Sequence, residues 1–335
     1  MADATFRLGI IGAGGISNAH SGAVQASGGR LSVTAVVDPS PEAREKLASG
    51  FGAQTFADVK ALFAAHKAKS LVDGVVVCTP PSIRIPIVEL ALKHGVPVLS
   101  EKPLAHNLGD AKKLAALAKK YAKVPSFVGY CHRFTPAVNR MIELVSAGKI
   151  GRLVRFENAF ACDLPGHEGK WFSDPKKAGG GAYLDMGSHS ADLYHFVVGP
   201  AETLGAAFDH KWKKRTETAA TVLLRSTKKG RTNVPAGVAG VVISGWAETS
   251  RFTVALFGDA GMLAYDYEKP DEIVFKDLVG KAESLSIENH GVRFQRQLEA
   301  FADVVQKKTK KSNLATFADG LAAAALDAKA RKLAK

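Results

Sequence analysis

The ionisable residues best placed for chemistry lie in one short run, Gly179-Gly180-Gly181-Ala182-Tyr183-Leu184-Asp185-Met186-Gly187-Ser188-His189-Ser190-Ala191-Asp192. Read as a helix, the run puts Asp185, His189 and Asp192 on one stripe at i, i+4 and i+7. Its other faces carry Leu184, Met186, Leu193 and Val197 or small residues, so the helix reads as buried. Buried ionisable groups need a partner or a cleft. The run therefore fits either a satisfied internal Asp–His pair or an imidazole that exchanges protons near neutrality beside a carboxylate. The glycines ahead of it predict close approach to a ligand.

A second candidate is Lys102, in Glu101-Lys102-Pro103 directly after the apolar run Val96–Ser100. Ligands of open α/β sheets sit beyond the carboxyl ends of the strands, which places this ammonium at the ligand end of such a sheet. Proline holds Lys102 in an extended geometry and opens the way to a cis bond.

A third is the turn Gly9-Ile10-Ile11-Gly12-Ala13-Gly14-Gly15-Ile16-Ser17. Gly12 permits a tight turn, Gly14 permits close approach of a pyrophosphate, and the small Ser17 permits close helix–strand packing. The N–H groups and dipole of a following helix hold the anion. The next strand ends in Val36-Val37-Asp38. A carboxylate about 20 residues beyond the turn binds the adenosine ribose hydroxyls. Gly12, Gly14, Gly15, Ile16 and Asp38 thus predict a dinucleotide site. The Asp38 carboxylate repels a 2′-phosphate and favours NAD, while Ser40 and Arg44 leave NADP open.

These residues need elements to position them. Phe6–Ile11, Leu31–Val37, Gly74–Cys78, Val96–Ser100 and Pro125–Tyr130 read as strands, with helical patterns at Ile16–Ala26, Pro41–Gly50, Asp58–Ala65, Ile83–His94 and Leu108–Ala122. Runs such as Val75-Val76-Val77 are apolar on both faces, so helices cover both sides of a parallel sheet. After about residue 150, Arg152–Ala161, Glu202–His210, Thr218–Ser226, Gly237–Ala247, Phe252–Gly258 and Met262–Tyr267 follow one another as strands joined by turns. One helix near Ala182–Val198 interrupts them, and two near Val292–Gln306 and Leu314–Lys332 close the chain. The reading is α/β: a doubly wound Rossmann domain over 1–125, then an α+β domain over 126–335 on a largely antiparallel open sheet, its last helix free to return to domain one.

Composition agrees with two globular domains: 335 residues, 46% hydrophobic and 23% charged. No apolar run approaches the roughly 20 residues of a membrane span. The first seven residues lack a signal pattern, so a cytoplasmic protein is expected. Cys78, Cys131 and Cys162 suit neither a disulfide framework nor a zinc motif and read as small buried hydrophobes, with no metal expected. The net charge of +13, with basic clusters at 211–215 and 307–311, reads as solvated surface able to attract anionic substrates rather than as a nucleic-acid footprint.

Taken together, these segments resemble the Gfo/Idh/MocA family of sugar dehydrogenases. The matching stretches are Gly12–Ile16, Asp38, Glu101-Lys102-Pro103, Arg133-Phe134-Thr135-Pro136, Gly148–Gly151, Trp171 and Gly179–Asp192. The resemblance implies a catalytic trio of Lys102, Asp185 and His189, with Arg133 and Trp171 also at the substrate. It extends the cofactor contacts to Thr79, Pro80, Glu101 and Lys102. It implies hydride transfer between a nicotinamide and a secondary hydroxyl of a sugar, polyol or inositol, by a homodimer or homotetramer built on the second sheet. Redox-neutral use of tightly held NAD and a non-catalytic sensor are the alternatives. The chain departs from the family after strand Gly74–Cys78. Where the family often reads Thr-Pro-Asn-x-x-His, this sequence has Thr79-Pro80-Pro81-Ser82-Ile83-Arg84, which puts the nicotinamide contacts of that loop in doubt. His132 is expected either to bind substrate or simply to pack.

Overall fold

The structure is a computed structural model describing residues 4–287 and 292–334. Residues 1–3, part of the segment read for a signal pattern, lie outside it. The chain divides into two compact units, Met1–Cys131 with Val292–Leu321, and His132–Gly291 with Ala322–Lys335.

In the first unit β1 (Phe6–Ile11), α1 (Gly15–Ala26), β2 (Leu31–Val37), α2 (Pro41–Ser49), β3 (Gln54–Phe56), α3 (Val59–Lys69), β4 (Gly74–Val77), α4 (Arg84–Lys93), β5 (Val98–Ser100), α5 (Leu108–Lys120) and β6 (Ser126–Val128) alternate along the chain. The strands lie in the order β6-β5-β4-β1-β2-β3, all parallel. This doubly wound order reverses at β1 and β4, and its crevice opens beyond their carboxyl ends. Val75, Val76 and Val77 are fully buried, as a strand covered on both faces must be.

The expected boundary after residue 125 is displaced. β6 completes the parallel sheet, and the strand Ala315–Thr316 adds to it antiparallel. Helix Arg293–Val305, expected in the second domain, lies on this sheet. Its Phe301 ring meets Phe6 edge-on at 5.8 Å, and a Cβ at Gly74 would stand 2.8 Å from it. Gly74 is small because this helix sits close.

The second unit carries α6 (Pro136–Ser146), β7 (Leu153–Asp163), the short helix α7 (Pro175–Ala178), α8 (Ser188–Val197), β8 (Ala201–Asp209), β9 (Ala219–Ser226), β10 (Ala239–Gly245), β11 (Ala247–Gly258), β12 (Gly261–Asp266), β13 (Glu272–Asp277) and β14 (Ala282–Ser286). They form one eight-stranded sheet, β14-β13-β12-β11-β7-β10-β9-β8, antiparallel except for the parallel pair β7–β10. The sequence reading has no counterpart to α6, α7, β13 and β14. Strict alternation along β9 sends Ala220, Val222, Leu224 and Ser226 inward and leaves Thr221, Leu223 and Arg225 outside. α8 lies against β7 and β10.

Helix Phe317–Leu333 begins in the first unit and ends in the second, where Leu326 O accepts from Thr203 Oγ1 at 3.1 Å. Among the described residues, no helix is long and apolar enough to cross a membrane.

Candidate active site

The glycine turn lies where β1 meets α1. Gly12 adopts φ +98°, and a Cβ there would stand 3.0 Å from both the Cys78 carbonyl carbon and the Thr79 nitrogen. Gly12 is thus required by its left-handed backbone and by the close approach of the β4 exit loop. A Cβ at Gly14 or Gly15 meets nothing within 4 Å, so the N-terminus of α1 faces open space. Asp38 Oδ2 accepts from Ala13 N at 2.8 Å and Oδ1 from Ser40 N at 2.8 Å. The carboxylate therefore pins the β2 end to the glycine turn. Arg44 spends Nη1 on the carbonyls of Asp38 and Pro39, at 3.1 and 3.3 Å. Open space over bare N–H groups, with an acid at its edge, fits a dinucleotide pyrophosphate and ribose.

Next along the crevice, Glu101 is buried and bonds His20 Nε2 through Oε1 at 2.7 Å. Burial opposes its ionisation, but the His20 bond and the charges of His20, Lys102 and Arg84 outweigh that and hold it below the usual carboxylate range. Its Oε2 accepts from Lys102 N at 3.0 Å. Lys102 is half-buried, and its bond to Pro103 is cis. Arg84, the first residue of α4 after the loop that departs from the family, is buried at 3% exposure. It donates from Nε and Nη2 to Thr79 O at 3.0 and 2.8 Å, and from Nη1 to the carbonyls of Glu101 and Pro103.

In the second unit the segment read as one helix is a π-helical turn, Tyr183–Gly187, followed by α8. Asp185 thus lies on the π turn, while His189 and Asp192 lie on α8. Such single π turns recur at functional sites. Asp185 Oδ2 accepts from the buried Trp246 indole, Nε1 at 3.1 Å. His189 is half-buried and stands edge-on to His132, centroids 4.6 Å apart at 80°. His132 is held in turn by Tyr267, Nδ1 to Oη at 2.8 Å, and by the Phe160 ring at 4.6 Å.

Asp192 is 1% exposed and pairs bidentately with Arg133, Nε to Oδ2 at 2.8 Å and Nη2 to Oδ1 at 2.6 Å. The Arg133 guanidinium also lies 5.1 Å from the Phe196 ring. Through the Asp192 pair Arg133, expected at the substrate, anchors the helix that carries His189.

The role expected for the glycines before Tyr183 is corrected at Gly180 and Gly181. A Cβ at Gly181 would overlap the Glu217 carbonyl and one at Gly180 the Arg331 guanidinium. The close approach is to protein, not ligand. Glu217 Oε1 caps Gly181 N at 2.8 Å and pairs with Arg331 Nη2 at 2.8 Å, while Asp327 binds Arg331 from its other side. This network fixes the start of the π turn.

Trp171 is half-buried and stacks on Phe172 at 4.0 Å. Phe172 stacks on His167 at 5.2 Å, and His167 lies 5.8 Å from Trp246. A continuous line of rings thus connects Trp171 to the residue that holds Asp185. Trp246 and Tyr267 escaped the sequence reading, where their one signal was an aromatic residue at or just past a strand end. All three cysteines are free, and burial pushes their thiols up, Cys131 to about 11.

Residues 6–130 match the model of an "Oxidoreductase family, NAD-binding Rossmann fold", and residues 138–264 match the "GFO/IDH/MocA C-terminal domain". The chain belongs to the Gfo/Idh/MocA family. Residues 6–130 of its first unit are that family's NAD-binding Rossmann fold, with the glycine turn and Asp38 as described. Among Gfo/Idh/MocA relatives, the chain is similar to the rhizopine catabolism protein MocA of Rhizobium meliloti, at 32% identity over 59% of each chain. It is similar to the D-glucoside 3-dehydrogenase of Escherichia coli K12 at 29% identity, over 59% of this chain and 56% of that one. The chain thus spans under two thirds of the length of these curated relatives. The fold is shared with levoglucosan dehydrogenase in complex with NADH, with TM-score 0.86 and 20% identity over 99% of this chain and 96% of that one.

Proposed function

We propose that the chain is an NAD(P)-dependent dehydrogenase that oxidises a secondary hydroxyl of a sugar, polyol or inositol, or reduces the corresponding ketone. The observation that carries this reading is one helical segment bearing both a carboxylate held by Trp246 and a half-buried imidazole framed by His132. The names of the relatives, a glucoside 3-dehydrogenase among them, support the same class of substrate.

Gly12, Gly14, Gly15, Ile16 and Asp38 hold the dinucleotide, and Thr79, Pro80 and Glu101 border its nicotinamide end. A nicotinamide bound there would supply hydride transfer to or from the carbinol carbon. Lys102 hydrogen-bonds the reacting oxygen and stabilises its growing negative charge. His189 takes the hydroxyl proton. Asp185 orients the substrate through a neighbouring hydroxyl, and Trp171 lines the sugar. Arg133 acts indirectly, by fixing α8. Asp38 favours NAD over NADP, because its carboxylate repels a 2′-phosphate.

The outer sheet face, with Leu204 and Leu223 exposed, supports a homo-oligomer, which sedimentation velocity would resolve. The experiment for the activity is a screen of polyols and aldoses for NADH or NADPH production. Net reduction of added cofactor is expected. Turnover of a sugar with no net reduction would replace this reading by redox-neutral chemistry.

A further inference from the structure

Arg84 stands where the family's loop often carries histidine, and its surroundings are unusual for a buried cation. Burial pulls its pKa down to about 10. Among the described residues no carboxylate pairs with it; Glu101 turns its carboxylate to His20 and acts on Arg84 through space. What compensates the guanidinium is main chain. Nε and Nη2 donate to Thr79 O, Nη1 donates to Glu101 O and Pro103 O, and Nη2 reaches Lys102 O at 3.4 Å. Every acceptor belongs either to the β4 exit loop or to the three-residue turn that presents Lys102.

A site that required packing alone would be filled more cheaply by an apolar side chain, since burying an ion without a partner is costly. A planar five-donor fork, by contrast, can hold several carbonyls at once in fixed geometry. The flexible lysine stem cannot place its own ammonium. The backbone beneath it must therefore be rigid.

We propose that Arg84 is a positioning residue: it clamps the Glu101–Pro103 turn to the Thr79 loop, so that Lys102 and the cofactor-facing loop are held as one unit. The proposal rests on the reading of Lys102 given above. A misplacement of about 1 Å at a reacting group costs roughly a hundredfold in rate.

The test is a double-mutant cycle of Arg84→Lys and Lys102→Ala on the whole protein, with kcat measured on the substrate the screen returns. Arg84→Lys is expected to lower kcat about 10- to 100-fold, yet to change it by no more than about twofold once Lys102 is alanine. In Arg84→Gly, low-millimolar guanidinium should restore part of kcat, and sodium chloride at equal ionic strength should not.

A readout without substrate is competitive acetylation, followed by mass spectrometry with exposed Lys112 as reference. The Lys102 labelling rate should rise several-fold in Arg84→Lys. Losses that multiply across the cycle, or an unchanged labelling rate, would overturn the proposal and leave the dehydrogenase reading intact. If Arg84→Lys and Arg84→His both fail to fold with NAD present, Arg84 serves folding instead, and the proposal also falls. Full turnover in Lys102→Ala alone would remove the mechanistic reading itself.

Discussion

The Trp246 indole donates to Asp185 Oδ2 at 3.1 Å from a ring that is 1% exposed. Trp246 is held between His167 at 5.8 Å and Trp212 at 6.4 Å, so its N–H has little freedom to turn elsewhere. A carboxylate held this way on a π turn has its orientation set before any substrate arrives. Trp246→Phe keeps most of the ring contact and removes the donor. A hydrogen bond to a charged group contributes about 1.5–3 kcal/mol, so kcat should fall by up to roughly 10- to 100-fold, with a modest drop in the unfolding midpoint because the same bond is lost from the fold. Wild-type turnover in this variant would show that the Asp185 orientation does not matter to the reaction.

For His189 the prediction is one of acid sensitivity. If its imidazole takes the hydroxyl proton, oxidation must weaken as the pH drops and the ring becomes protonated. His189→Asn should lose most turnover, abolish that acid limb in whatever activity remains, and bind NAD as wild type does by fluorescence titration. An intact acid limb in the variant would point to another base.

Cofactor choice should follow Asp38. Its carboxylate bridges the glycine turn and the start of α2 through Ala13 N and Ser40 N. Asp38→Ser should lower the ratio of kcat/KM for NAD to that for NADP, chiefly by relieving repulsion of the 2′-phosphate. A wild-type preference for NADP, or a ratio untouched by the substitution, would detach Asp38 from the ribose.

Glu101 supplies a pH dependence of stability. Its folded pKa is depressed below the ordinary value of 4.5, despite burial, by the His20 bond and the surrounding cations. A depressed acid stabilises the fold above its unfolded pKa, and that stabilisation is lost as the pH falls through the folded value. The stability gap between wild type and Glu101→Gln, from urea unfolding, should therefore be widest near neutrality and shrink as the pH falls below the ordinary carboxylate value of 4.5. A gap that stays constant down to pH 3 would mean that the carboxylate charge contributes nothing.

What could be read in the sequence was what neighbouring residues dictate. Gly12-Ala13-Gly14-Gly15 ahead of a helix, Asp38 at the end of the next strand and Lys102 before a proline are local patterns. Backbone conformation and strand ends govern them, and they led to the dinucleotide fold. The alternation along β9 and the apolar run of β4 were legible for the same reason.

What only the tertiary structure decided depends on contacts between distant segments. Trp246 reaches Asp185 across 61 positions, Tyr267 reaches His132 across 135, and Arg331 reaches Glu217 across 114. No spacing rule encodes such pairings. Folding likewise pairs Arg133 with Asp192 and brings an ion-pair network against Gly180 and Gly181. The β13–β14 hairpin escaped notice because neither strand has enough apolar alternation to stand out alone; pairing with β12 is what makes β13 a strand. Arg84 shows the division most clearly. In the sequence it is a departure from a family pattern, and its meaning appears only when folding brings four carbonyls around one buried guanidinium.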